Sequence, residues 1–340
     1  MKKRKNITVL CVLILFLAAN PAFSQTESLE DLQDAVNVFS AEMAKSLPFN
    51  STLGLNWSDA YIGQLIGVPP HFGIGASVGF TTIKMDFMNN LMNHFDYEIP
   101  LDLSIGFPLP AYTIEARIGG FVLPFDIGVK FGYLNTSNMS MFDSFGVNID
   151  YMLFGADIRY ALIDSKLIPV KLSVGAGFNH LKGGISAQLG LGDQSFSFDD
   201  GQGSSYSLSI RDPELGLLWQ TNTLELKAHV SFPLFIITPY LGVGASYSWA
   251  KAGYKVKSDV KAYKNSTPVD LNEVNDTLNE YGLSGVSAEG FESIVEISGW
   301  NMRVYGGLSF NLAVIRLDFT VMYNFRDSAF GGSFGIRFKL

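Results

Sequence analysis

The chain has 340 residues, 47% of them hydrophobic and only 16% charged, with 27 Phe, 14 Tyr, 34 Gly and a net charge of −8. So apolar a composition excludes an ordinary soluble surface, and the acidic balance excludes a basic nucleic-acid footprint, so no nucleic-acid partner is expected. The one long apolar run stands at the N-terminus, and no transmembrane helix is expected after it.

Residues 1–24 read as a secretory signal: Lys2, Lys3, Arg4 and Lys5, an apolar core from Ile7 to Ala19, then Ala22-Phe23-Ser24 before Gln25. The single cysteine, Cys11, lies inside that core, where a lipoprotein would carry it behind the core, so a lipid anchor is not expected. Residues 25–70 form a second unit. Leu29, Leu32, Ala35, Val36, Phe39, Met43 and Leu47 make a helical stripe, Glu27, Glu30 and Asp31 suit the positive end of its dipole, and Pro48 is its expected stop. Trp57 and Tyr61 follow. The unit is expected to plug the remaining fold or to underlie it, through Leu32, Val36, Phe39, Met43, Trp57 and Tyr61.

From His71 to Leu340 the period changes to two. Phe72, Ile74, Ala76, Val78 and Phe80 alternate with Gly73, Gly75, Ser77, Gly79 and Thr81. Further two-faced stretches run over 112–121, 125–134, 147–161, 169–185, 216–231, 238–255, 296–310, 315–325 and 330–340. Short connections at 122–124, 163–168, 232–237 and 311–313 alternate with long ones at 85–111, 135–146, 188–215 and 257–295. The fold class predicted is all-β, an antiparallel transmembrane β-barrel of about ten strands with an N-terminal amphipathic helix. Residues 101–107 and 204–211 leave eight or twelve strands open. Phe334, Ile336, Phe338 and Leu340 alternate up to the last residue, and the last strand is expected to close on the first. Gly335 to Leu340 resembles the C-terminal insertion signal of bacterial outer-membrane barrels, which implies recognition by the outer-membrane insertion machinery, contact with outer-membrane lipids, and a bacterial outer-membrane location. Tyr133, Tyr160, Trp249, Trp300 and Tyr323 fall where interfacial belts form.

The polar face carries charges of both signs: Glu115, Arg117, Lys130, Asp157, Arg159, Glu225, Lys227, Arg303, Arg316 and Asp318. They read as mutually neutralising lumen residues, not as a like-signed selectivity ring. Glycines on the same face, among them Gly73, Gly79, Gly119 and Gly242, leave room for something else, for which the N-terminal unit is the natural occupant. His71, His94, His180 and His229 are scattered. Although Glu225, Lys227 and Ser231 share a face with His229, residues two apart in a strand form a polar wall, and no catalysis is expected. Asp193 and Asp199-Asp200-Gly201 lack a calcium-loop spacing, so no metal and no cofactor is expected.

The long connections carry structure of their own. Asp270 to Glu273 reads as a capping box before a helix over 271–281. Met85, Met88, Leu91, Met92 and Phe95 fall on one side of a helix, and Met139, Met141 and Phe142 cluster in the next long loop. Methionine adapts to varied apolar surfaces, so these loops are candidate contacts for a small hydrophobic ligand. With the helix Leu29–Leu47, the cluster at 85–95 and the stretch Asn138 to Phe145, the arrangement resembles the long-chain fatty-acid transporter family. That resemblance implies a barrel with an N-terminal hatch, passing hydrophobic molecules through the outer membrane. The function expected is therefore a gated passive channel or transporter. The alternative is a non-conducting barrel that presents its long loops to a partner.

Overall fold

The computed structural model describes residues 26–66, 70–84, 106–137, 147–164, 169–188, 194–199, 204–280 and 290–339. Helix α1 (Thr26–Ser51) comes first. Strands β1 (Phe72–Ile83), β2 (Phe107–Gly119), β3 (Phe125–Asn135), β4 (Val147–Asp164), β5 (Lys171–Gln188), β6 (Gln194–Asp199), β7 (Ser205–Ser231), β8 (Ile237–Lys264) and β9 (Thr267–Val269) follow. Helix α2 (Leu271–Glu280) precedes β10 (Gly290–Leu312), β11 (Ile315–Asn324) and β12 (Ala329–Lys339).

Ten of these strands close into an antiparallel barrel. Each pairs with the next around the ring, β7 pairs with β8, and β12 returns to β1 with Gly73 opposite Lys339. Closure leaves no barrel edge. The two short strands β6 and β9 only widen the tips of β7 and β8. Residues 205–211 are therefore the upper part of β7 and not a separate strand, because their register against β8 runs on across a bulge between Arg211 and Glu214. β2 likewise begins at Phe107 and absorbs the end of the other open stretch.

The period-two pattern sorts the side chains as alternation demands. Ile74, Val78, Ile114, Val129, Leu226, Val243 and Val321 are exposed on the outer wall, while Glu115, Arg117, Asp126, Lys130, Asp157 and Arg303 are buried inside. The wall is uneven in height. β7 and β8 have 27 and 28 residues and β10 has 23, whereas β11 has 10 and β1 has 12. About ten tilted residues cross a bilayer, so the long strands rise well past that as a wall at the long-loop end. Its tip has a separate small core of Tyr206, Leu208, Val260, Ala262 and Val274, with Val274 supplied by α2. One connection at this end, 325–328 between β11 and β12, is as short as those at the opposite end.

Two local expectations are corrected. Pro48 does not stop α1, which continues to Ser51. The carbonyls freed there find other donors: the Ser51 hydroxyl bonds the Pro48 carbonyl at 2.7 Å and the Thr52 hydroxyl bonds that of Phe49 at 2.7 Å. Glu273 does not close a capping box. Asp270 does cap α2 by accepting from the Asn272 N–H at 2.8 Å, but the Glu273 carboxylate turns to Lys264 at 2.7 Å. A local ion pair on the neighbouring strand outcompetes the reach back to the cap. Helix α2 is described as far as Glu280, and Tyr281 lies outside the described residues. The signal segment 1–24, the methionine loops (Met85, Met88, Met92, Phe95, Met139, Met141, Phe142) and the side chains of Leu32 and Val36 lie outside the described residues.

Candidate functional site: the barrel interior

The chain from α1 to residue 66 runs lengthwise through the barrel. Asn37 meets Ser293 near the start of β10, at the long-loop end, at 3.0 Å. Ser46 reaches Asp327 in the β11–β12 turn at 3.3 Å, and Ser51 reaches Thr223 in mid-wall at 3.1 Å. Asp59 reaches Lys339 at the short-turn end at 2.8 Å. There Leu65 donates to the Gly120 carbonyl at 2.9 Å, and the chain turns into β1.

The interior has two layers. Toward the long-loop end it is built on an apolar cluster, in which Met43, Ala44, Leu47, Phe49 and Leu53 pack on the inner wall residues Leu109, Tyr151, Leu153, Leu181, Trp219 and Ala252, with Ser46, Asn50 and Asp327 buried beside it. Phe39 lies partly buried against the same cluster. The stripe read from α1 thus has an apolar collar to face. The helix then ends over Lys130, whose ammonium donates to the Ser51 and Leu53 carbonyls at 2.7 and 2.5 Å. A cation at the negative end of the helix dipole supplies donors that no further turn provides.

Toward the short-turn end the interior is charged, and the charged side chains are buried. Arg117 joins Asp126 at 2.6 Å to Asp157 at 2.7 Å; Arg159 also holds Asp126 and Lys227 also holds Asp157. Arg303 holds Glu225 at 2.7 Å and Arg337 holds Asp318 at 2.5 Å. These side chains do more than neutralise one another, because their remaining donors and acceptors grip residues 55–62. Glu115 accepts from the Leu55 N–H at 2.8 Å and from the Trp57 indole at 2.6 Å, while its other oxygen accepts from Ser77 and Thr113. Arg303 donates to Asn56 at 3.1 Å, Arg159 to the Asp59 carbonyl at 2.7 Å, and Arg337 to the Asp59 carboxylate at 2.6 Å. Asp126 accepts from the Ile62 N–H at 3.1 Å. The Trp57 ring lies between the Arg337 and Arg117 guanidiniums, 4.8 and 5.6 Å from its centre. Tyr61 is buried beside Lys171. Arg316 is only partly buried.

Glycine makes this fit possible at two places. A methyl on Gly73 would lie 2.9 Å from the Trp57 ring, and one on Gly119 would lie 2.0 Å from the Gly63 carbonyl oxygen. Others serve the wall itself: Gly242 faces Tyr305, and Gly128 faces Arg117 and Asp157. A cavity of about 20 Å³ beside Trp57, Glu115 and Arg337 has room for one water.

His229 bonds the Ser58 carbonyl and the Tyr305 hydroxyl, both at 3.3 Å, and stacks on Tyr240. Since a carbonyl only accepts, Nε2 carries the proton and Nδ1 accepts from Tyr305. Sequence reading missed Asp59, Ser58 and Asn56, which lie in an irregular stretch without periodicity. It also passed over Asp126 as a hub, although its place opposite Arg159 follows from strand register.

No family model and no curated protein matches this chain, so the resemblance to the fatty-acid transporter family stays one of architecture. Among solved structures the chain is similar to the outer membrane protease OmpT from Escherichia coli, with 10% identity and a TM-score of 0.33 over 80% of this chain and 97% of that one. It is similar to the toluene transporter TbuX of Ralstonia pickettii, with 12% identity and a TM-score of 0.26 over 79% of this chain and 89% of that one. The attachment invasion locus protein Ail of Yersinia pestis gives 10% identity and a TM-score of 0.29 over 79% of this chain and 98% of that one. Identities and scores this low transfer nothing about activity.

Proposed function

We propose that the protein is a bacterial outer-membrane barrel that passes small hydrophobic molecules when α1 leaves its seat, with residues 27–66 as the gate. The short turns face the periplasm and the long loops face outward, the ordinary orientation of such barrels. One observation carries the reading: the inner wall at the long-loop end is apolar and is covered by the apolar stripe of a helix. A barrel needing only a filled lumen has no use for an apolar collar, whereas a hydrophobic solute displaced into it would meet the same surface that Met43, Leu47 and Phe49 meet. The second reading, a non-conducting barrel presenting its tall wall and α2 to a partner, is favoured by the bonds that pin residues 55–62 to the wall.

A cysteine pair separates the two. In a C11S background no other thiol is present. The Ser46 and Asp327 side chains are 3.3 Å apart, so S46C/D327C brings two thiols within bonding reach. The expected outcome is uptake of an apolar fluorophore into proteoliposomes that stops on oxidation and returns on reduction. Absence of uptake from the reduced pair, from the unmodified chain and from a chain lacking residues 27–66 would leave the partner-presenting reading.

A further inference from the structure

The outer wall and three of the four short turns form one apolar surface. On the outward face of β10, Trp300 is followed by Met302, Val304, Gly306, Leu308, Phe310 and Leu312, with no charge among them. On β8 the outward series from Trp249 down to Pro239 is equally uncharged. Charges begin above the two tryptophans, where Lys251, one outward position past Trp249, stands opposite Glu296, two outward positions past Trp300. Below, where a soluble rim would turn polar, three of the four short turns do not; the β4–β5 connection is the exception, flanked by the Asp164–Lys171 ion pair at 2.9 Å. Phe121, Val122 and Leu123 are 60%, 78% and 60% exposed; Phe235 is 98% and Ile236 56% exposed; Val314 is 47% exposed. The turns are held in shape, with Leu234 donating to the Ile237 carbonyl at 2.9 Å and Asn311 to that of Ile236 at 2.6 Å.

The span identifies what covers them. Twelve residues separate Trp300 from Leu312. At ~3.3 Å each and a tilt of ~45° they descend about 28 Å, roughly one hydrocarbon thickness. With the tryptophans at the outer interface, the turns reach the inner one and their side chains meet acyl chains instead of periplasmic water. We infer that the short-turn rim is a lipid-contacting surface, set into the inner leaflet by Phe121, Val122, Phe235, Ile236 and Val314, with the barrel flush with the membrane on that side and tall on the other. This rests on the outer-membrane reading, and the test keeps the two apart.

Single cysteines at Phe235 and Val122 in the C11S background, labelled with an environment-sensitive nitrobenzoxadiazole, are placed in phosphatidylethanolamine/phosphatidylglycerol vesicles with or without 5-doxyl-phosphatidylcholine. V243C, in the middle of the outer wall, is the reference. Expected is quenching of about twofold at both turn sites, whose side chains are seated ~5–10 Å into the headgroup/acyl boundary, and at Val243 when the same lipid is labelled at carbon 12, in the middle of the acyl region. Quenching at Val243 with bright, iodide-accessible label at both turn sites would overturn the lipid rim alone, and would point to a soluble partner or bare solvent. Absence of quenching at Val243 would overturn the membrane reading together with it.

Discussion

At the scale of single residues, Glu115 shows how this interior is ordered. Four donors converge on one carboxylate: two from the wall strands, through Ser77 and Thr113, and two from the luminal segment, through Leu55 and Trp57. An amide cannot accept at both ends, so Glu115→Gln sets an NH2 against two of those donors while preserving volume. The expected loss is about 2–4 kcal/mol, since hydrogen bonds to charged groups are each worth ~1.5–3 kcal/mol. Trp57 would leave its place between the guanidiniums, giving red-shifted tryptophan emission with the barrel's strand signal retained. Arg117 is the contrasting case. Replacing it by Met strips one partner each from Asp126 and Asp157, which keep Arg159 and Lys227. Removing one partner of a buried pair costs ~3–5 kcal/mol, and a thermal melt of R117M should fall toward the low end of that range.

At the scale of elements, α1 is seated by one contact that protons control. Asp327, in the β11–β12 turn, is pushed up to about 6, first by burial and further by Glu42, against the lowering effects of a backbone N–H, Ser46 and Arg326. Its Oδ1 is buried without a hydrogen-bond partner. A carboxyl raised above its unfolded value of 3.8 adds stability in full below that value, and the gain is lost as pH rises through about 6. The seat of α1 is therefore expected to loosen between about pH 4 and 6.5, by on the order of 2–3 kcal/mol. Protease susceptibility of residues 37–51 should rise across that window, and Asp327→Asn should flatten the profile. Elements were also the scale best read in the sequence. Alternation placed the barrel strands and sorted their faces, because a period of two is a local property of each segment. The continuation of α1 past Pro48 and the grip on residues 55–62 were not legible, since both depend on hydroxyls and carboxylates that lie far away in sequence. Asp59 stands 278 positions from Arg337, and no local pattern announces such a pair.

At the scale of the whole molecule, the direction of α1 has consequences for both topology and gating. The helix enters its seat from the long-loop end, since Asn37 meets Ser293 near the top of β10, and the chain reaches the short turns only at Asp59 and Leu65. The eleven helical residues before Asn37 carry the axis ~16 Å further toward the long-loop side, at ~1.5 Å per residue. With the short turns in the periplasm, the start of α1 then lies outside the cell. On the proposed reading the gate opens outward, because moving α1 inward would drag its first turns through the charged layer of Arg117, Asp126 and Asp157, whereas moving it outward first uncovers the apolar cluster of the wall. An epitope inserted immediately before Thr26 should accordingly bind antibody on intact cells, at a level comparable to one placed in the 281–289 loop. Binding only after permeabilisation would mean that the segment enters from the periplasm, and an outward-opening gate would have to be abandoned even if the barrel conducts.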